Sequence, residues 1–142
     1  MKPVKENNYQ AYVVGFLLRN NDNEVALIQK LTPAWQNGKL NGIGGKIENL
    51  ETPYNAMVRE FKEETGADVT DWKGMVALYY NEAEIYFFTS RAPVEIKSME
   101  KEQVGWYDCN LFQYQDKIIP NLAWLIPLAQ TEGDEFYGTI LK

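Results

Sequence analysis

The sequence predicts one mixed α/β domain. Short β-branched and aromatic runs, bounded by turn clusters, pair off as hairpins. Between them a glycine-rich stretch feeds a segment of helical period. At 142 residues, 45% hydrophobic and 24% charged, the chain is long enough to bury a core around both kinds of element. It carries no repeat, linker or low-complexity tract, and residues 1–142 read as a single domain.

Met1 to Asn8 is polar and reads as a loose lead-in. Tyr9 to Arg19 is apolar with little alternation, which suits a strand covered on both faces. Asn20-Asn21-Asp22-Asn23 is a turn cluster and Glu24 to Lys30 a second strand, so the pair forms a hairpin. The cluster lacks the glycine and distal glutamate of an EF-hand loop. Leu31 to Lys39, with Pro33, Trp35 and Gly38, is a loop; Leu40 to Glu48 holds Gly42, Gly44 and Gly45, and the stretch from Gly45 begins as a glycine turn. It is neither a dinucleotide fingerprint nor a P-loop, since Ile47 stands where the third glycine belongs and Lys46 precedes Ile.

Thr52-Pro53 opens a helix as N-cap and first helical residue, and Gly66 closes it. Tyr54, Met57, Val58 and Phe61 share the arc expected to face the core. Trp72 to Tyr80 and Glu84 to Arg91 form a second hairpin around Asn81-Glu82-Ala83. Val104 to Asp108 is a short strand and Asn121 to Gln130 a helix with Leu122, Leu125, Ile126 and Ala129 inward. Phe136 to Leu141 is a last strand.

Composition removes several chemistries. The chain has no histidine and one cysteine, Cys109, which excludes Ser-His-Asp, Cys-His and His- or Cys-ligated zinc sites and any intrachain disulfide. A net charge of −6 argues against a nucleic-acid polymer as partner, but not against a small phosphorylated ligand bridged by cations. With no signal peptide or membrane-length apolar run, the expected location is the cytoplasm, away from membranes. Oligomeric state is not readable.

The helix carries the chemical signal. Glu60, Glu63 and Glu64 crowd one arc beside the core arc, and the pair at 60 and 64 repels by roughly 0.2–0.5 kcal/mol. A divalent cation reverses that sign. Mg²⁺ takes oxygen ligands and keeps some waters, so a few carboxylates with substrate phosphates suffice. The alternative is a solvated helix face with an Arg59–Glu63 surface pair, worth little.

Gly45, five residues, Glu51, seven residues, then Arg59-Glu60-Phe61-Lys62-Glu63-Glu64-Thr65-Gly66-Ala67 resembles the Nudix box at every fixed position. Only Ala67 departs mildly, where a larger aliphatic is usual. The box covers 23 residues, and the strand order around it also looks like the Nudix fold, a mixed β-sheet sandwiched between α-helices. The resemblance implies a Mg²⁺-dependent hydrolase, with Mn²⁺ as a substitute, in which a metal-activated water attacks a bridging phosphoryl group. It implies metal ligation by Glu60, Glu64 and the Gly45 carbonyl, with Glu63 as ligand or general base. Arg59 would orient a glutamate and Glu51 support the loop. The family often adds an acid from outside the box; the candidates are Glu100 and Glu102, with Glu102 preferred to Glu100, and the other reading of each is an ordinary loop acid.

The family acts on nucleoside diphosphates linked to another moiety, so the flanks must indicate the substrate. Leu40 to Lys46 looks like the segment before the box in MutT-type diphosphatases of oxidised purine nucleoside triphosphates, where an asparagine lies in the base pocket. That implies Asn41 as a base contact; its other reading is a turn former beside Gly42. Pro120-Asn121 matches a second base-reading position, and Asn121 is equally an N-cap candidate. Trp124 is either a pocket wall or core. Lys30 matches a basic position near the phosphates and Lys46 is a further phosphate contact, unless either is a surface lysine. The expected substrate is a purine nucleoside triphosphate such as 8-oxo-dGTP, cleaved to monophosphate and pyrophosphate. The rivals are an ADP-ribose or other nucleotide-metabolite pyrophosphatase, and a sensor that binds without turnover.

Overall fold

Strand β1 (Gln10–Arg19) is the element on which the others assemble. The computed structural model describes residues 10–80, 82–131 and 139–141, with the side chains of Phe112 and 139–141 left aside. Along β1, Ala11, Val13 and Leu17 are buried on one face with Ala56, Met57 and Phe61 of helix α1 (Pro53–Thr65). Phe16 and Leu18 are buried on the other with Leu122, Leu125, Ile126 and Ala129 of helix α2 (Leu122–Ala129). The period-2 alternation of a strand therefore feeds two cores, one per helix, and explains the continuous apolar run. The architecture is the expected α/β sandwich.

The turn at Asn20, Asn21 and Asp22 runs left-handed, with φ of 56°, 54° and 63°, a conformation Asn and Asp tolerate best after glycine. Strand β2 (Glu24–Gln29) leaves it antiparallel to β1, but their pairing is confined to Leu18–Val25 and Arg19–Glu24. Beyond the turn the two strands take different neighbours. β2 pairs with β3 (Leu40–Asn41) and along its length with β7 (Gln103–Asp108). β1 pairs antiparallel with β4 (Ile43–Lys46) and parallel with β6 (Ala83–Ser90). β5 (Lys73–Tyr80) lies antiparallel to β6 and parallel to β8 (Thr139–Leu141).

Several expectations need correction. Gly45 does not begin a turn but lies within β4, which follows β3 in the Leu40 to Glu48 stretch. Its glycines serve close approach: a Cβ on Gly44 would overlap the backbone of Val13 on β1. Ala83 belongs to β6, and the 31–39 loop contains a 3-10 turn at Ala34–Gln36. Tyr54 is 36% exposed and its hydroxyl donates to the Thr70 carbonyl, while Pro53 and Ala56 are buried in its stead. Met1 to Tyr9, Asn81 and Phe136 to Gly138 lie outside the described residues.

Helix α1 starts as its sequence predicts: Thr52 is extended and its Oγ1 accepts from the Asn55 N–H at 3.1 Å. Gly66 ends it with φ 78°. Thr52→Ala is expected to cost about 1 kcal/mol, read as a lower denaturant midpoint, and Thr52→Ser to restore it. An unchanged midpoint in Thr52→Ala would remove the cap from the account.

Candidate active site

The box folds back on itself where β4 passes α1. Gly45 pairs with Val13 in the sheet, and a Cβ at Gly45 would fall against the Glu60 carboxylate. Glycine thus leaves the Glu60 carboxylate the place it takes against the strand; a side chain here would push it aside.

Arg59 ties the acids together. Its Nε and Nη2 grip both oxygens of Glu51 at 2.8 and 2.9 Å. Nη1 donates to Glu60 at 2.8 Å and to Glu63 at 3.1 Å, and Nη2 also donates to the Lys46 carbonyl at 2.9 Å. The guanidinium side chain is 25% exposed, Glu51 15% and Glu60 14%, so these contacts are largely sheltered; Glu63, 47% exposed, is not. The Arg59 hydrogen bond is the main reason the Glu51 carboxyl sits below its ordinary range. Burial pushes Glu60 upward despite Arg59.

Glu64 differs. Its Oε2 is buried with no hydrogen-bond partner among the described residues. Burial first, then the carboxylates of Glu100, Glu102 and Glu60, push its carboxyl up to about 7. Glu102 is itself engaged: it accepts from Lys30 Nζ at 3.0 Å and from the N–H groups of Leu31 at 2.6 Å and Thr32 at 3.4 Å. Burial alone would raise Glu102, but the Leu31 N–H and Lys30 outweigh it and hold it below the ordinary range.

Among the described residues, no set of three or more Asp, Glu, His or Cys side chains is drawn together closely enough to hold an ion as they stand. Arg59 supplies the positive charge, holding Glu60 and Glu63 by their oxygens. The donor chemistry nevertheless fits a hard divalent cation: the carboxylates of Glu60, Glu100 and Glu102 act on an orphaned, sheltered Glu64 oxygen, and the Glu60 carboxylate lies against Gly45 of β4.

On the sheet side of Gly45 a cavity of about 330 Å³ opens. Lys30, Asn41 and Gly45 line it, with Trp35, Gln36 and Tyr80 around them. Asn41 Oδ1 accepts from the Gly42 N–H at 2.8 Å, so the turn-forming contact exists, while Asn41 Nδ2 donates to Gln36 Oε1 at 3.1 Å. Lys46 is exposed and, with Asn121 and Trp124, is not among the lining residues. Trp124 is 39% exposed on α2, outside the core cluster its neighbours form.

Asn121 makes no side-chain cap; the first N–H groups of α2 are taken by the Ile119, Pro120 and Asn121 carbonyls in tight 3-10 fashion. Its Oδ1 is buried and has no partner among the described residues. The Ile119 N–H donates to the Leu40 carbonyl at 3.0 Å, so the segment leading to Asn121 is tied to the strand bearing Asn41. Sequence reasoning missed Gln36 and Tyr80 as cavity residues. The only cue was the loop holding Pro33, Trp35 and Gly38, because long-range pairing decides what faces the cavity.

The NUDIX domain family matches residues 9–125. Over 50 residues the chain is 44% identical to the 8-oxo-dGTP diphosphatase of Escherichia coli (strain K12). That match spans 35% of this chain and 39% of the relative's length. Among solved structures, the chain resembles a MutT structure from work on Aliivibrio salmonicida and Vibrio cholerae with TM-score 0.68, 23% identity and coverage of 84% of this chain and 98% of the other. It resembles the mutator MutT protein from Bacillus halodurans with TM-score 0.70, 20% identity and coverage of 93% and 89%. A NUDIX hydrolase from Nitrosomonas europaea gives TM-score 0.74 at 18% identity over 97% and 82%. At such identities the structural likeness is one of fold, and it joins a family match over most of the chain and a complete box. The chain belongs to the NUDIX domain family, a Nudix hydrolase by family with the fold of the MutT-type structures.

Proposed function

We propose that the chain, acting as one domain, hydrolyses a phosphoanhydride bond of a purine nucleoside triphosphate with Mg²⁺, or Mn²⁺ in its place, releasing monophosphate and pyrophosphate. An oxidised purine such as 8-oxo-dGTP is the leading substrate, and the 8-oxo-dGTP diphosphatase of Escherichia coli (strain K12) is the relative that supports this. The observation that carries the reading is the orphaned Glu64 oxygen, four residues along the helix from Glu60, whose carboxylate lies against Gly45 at the border of the Lys30–Asn41 cavity.

Gly45, Glu60, Glu63, Glu64 and Glu102 are the groups that would hold divalent ions, whose contribution when bound is to shield phosphate charge and lower the pKa of a water. Arg59 keeps Glu60 oriented at 2.8 Å, and Glu63, half-exposed and reached by Arg59 at 3.1 Å, is the acid that would take a proton from the attacking water. Lys30 and Lys46 face phosphate charge in this reading, while Asn41 and Asn121 contact the base and Trp124 borders it. Nothing in the reaction asks for a nucleic-acid polymer or a membrane, and among the described residues no helix is long and apolar enough to cross one.

The test is a nucleotide screen with Mg²⁺, scored by product. Pyrophosphate from a purine triphosphate is the expected result. AMP with ribose phosphate would move the chain to ADP-ribose, and tight binding without product would make it a sensor.

A further inference from the structure

We propose that Glu102 is a positioning residue of the cavity: its carboxylate anchors the loop of residues 31–38, which carries the wall residues Pro33, Trp35 and Gln36. The inference rests on the nucleotide reading above and adds what holds one wall of that site in place.

Sheet register delivers Glu102 to the loop. β2 and β7 run antiparallel, with Ile28 opposite Val104 and Gln29 opposite Gln103. One step further Lys30 comes opposite Glu102, where β2 has ended and the loop begins. Glu102 engages both oxygens there. Oε1 accepts from Lys30 Nζ at 3.0 Å, and Oε2 accepts from the N–H groups of Leu31 at 2.6 Å and Thr32 at 3.4 Å. The Glu102 side chain is 17% exposed, and N–H bonds to a carboxylate are among the stronger ones.

The loop has little else to hold it. None of residues 31–38 is buried, and Trp35 is 63% exposed. Its other backbone bonds are local: Gln36 to Pro33, Asn37 to Ala34, Lys39 to Gln36, and Gly38 to Lys30 at the base. Only the Asn41 Nδ2 bond to Gln36 Oε1, at 3.1 Å, ties the far end by a side chain among the described residues. A segment with no buried apolar area depends on its hydrogen bonds and opens locally when they go. Pro33, Trp35 and Gln36 nevertheless line the cavity together with Lys30. Holding that wall in advance spares a ligand the cost of ordering it. A carboxylate has about four lone-pair sites, and the Lys30, Leu31 and Thr32 bonds leave one on Oε1 that can meet a cation without releasing the loop.

The test uses the metal-free chain, where a role in holding a cation cannot contribute. Amide exchange followed by NMR reads the anchor, and calorimetric affinity for dGMP reads its consequence. Glu102→Ala should speed exchange at Leu31 by about 10-fold or more, and at Thr32 by less, with the core amides of β1 unchanged. Affinity for dGMP should fall several-fold. Glu102→Gln keeps an oxygen for the Leu31 N–H and should recover part of both effects. Glu102→Asp draws the oxygens back by one methylene, should recover neither, and serves if the alanine variant does not fold. Glu100→Ala is the reference for lost negative charge: Glu100 acts on Glu64 as Glu102 does but makes none of the loop bonds, so Leu31 should stay protected. Leu31 exchange that Glu102→Ala leaves unchanged, an equal effect in Glu100→Ala, or equal dGMP affinity in wild type and Glu102→Ala would overturn the inference. A protected Leu31 amide in a wild-type chain that ignores dGMP would sink the nucleotide reading and leave the anchor standing.

Discussion

Glu64→Gln is expected to lower turnover with Mg²⁺ by about 10²-fold or more, and at the same time to stabilise the metal-free chain at neutral and alkaline pH. The two effects have one cause. Glu64 is sheltered, its Oε2 lacks a partner among the described residues, and Glu100, Glu102 and Glu60 add negative charge around it. A group so placed serves a cation better than it serves the fold.

The pH dependence of this effect has a definite sign. The Glu64 carboxyl is raised to about 7 in the folded chain from an ordinary 4.5, so the folded state binds the proton more tightly than the unfolded state. Its contribution is therefore most favourable below about 4.5 and declines as pH climbs through about 7. Metal-free melting temperature should fall over that window in the wild type and fall less in Glu64→Gln. Divalent cation should raise the wild-type melting temperature most on the alkaline side, since binding is linked to deprotonation. Melting curves from about pH 4 to about pH 8, with and without Mg²⁺, give the comparison. If Glu64→Gln lost stability at every pH, Glu64 would be a structural group and the metal role assigned to it would be wrong.

Arg59→Ala is the substitution with the largest expected cost to folding. One guanidinium holds Glu51 by both oxygens, Glu60 and the Lys46 carbonyl, all at 2.8–2.9 Å, with Glu63 at 3.1 Å. Removing it strands two sheltered carboxylates beside each other. Breaking such a pair costs about 3 kcal/mol, at the lower end of the range because the group keeps some solvent, and the melting temperature should drop by roughly 10 °C. Arg59→Lys should recover only part of this, because a single ammonium cannot reproduce the two-oxygen grip on Glu51 while also reaching Glu60.

There is an acid-side signature as well. Arg59 depresses the Glu51 carboxyl, so Glu51 contributes stability that is present above its ordinary pKa and lost as pH falls through the lowered value. That loss should shrink in Arg59→Ala. Activity should fall with stability, since Glu60 would no longer be held. A variant that melted like the wild type would show that the surface-pair view of Arg59, and not the clasp, is right.

The helix and its chemistry are legible in the sequence because their signals are local. Thr52, Pro53 and Gly66 act on the backbone within one turn, and Glu60, Glu63 and Glu64 share an arc by helical period alone. The spacing of the box likewise lies on one continuous stretch. The strands are legible as elements for the same reason, their composition and bounding turns.

What composition does not reveal depends on partners distant in the chain. The glycine stretch that reads as a turn is β4 because Gly44 and Gly45 allow β1 and Glu60 to approach, a requirement set by residues 31 and 15 positions away. Tyr54 leaves the expected core arc for the Thr70 carbonyl, and Trp124 stays outside its core cluster, because helix period fixes an arc but not which edge of it the sheet covers. Neighbouring residues alone specify the family, the helix and the acidic groups on it, since each is written in one continuous stretch. Assembly of the sheet settles the rest: how Arg59 divides its contacts, that Glu64 is the acid left unpartnered, and that Gln36 meets Asn41 at the cavity. Burial and hydrogen-bond competition are properties of the assembled chain, and they exist only once the sheet has brought those residues together.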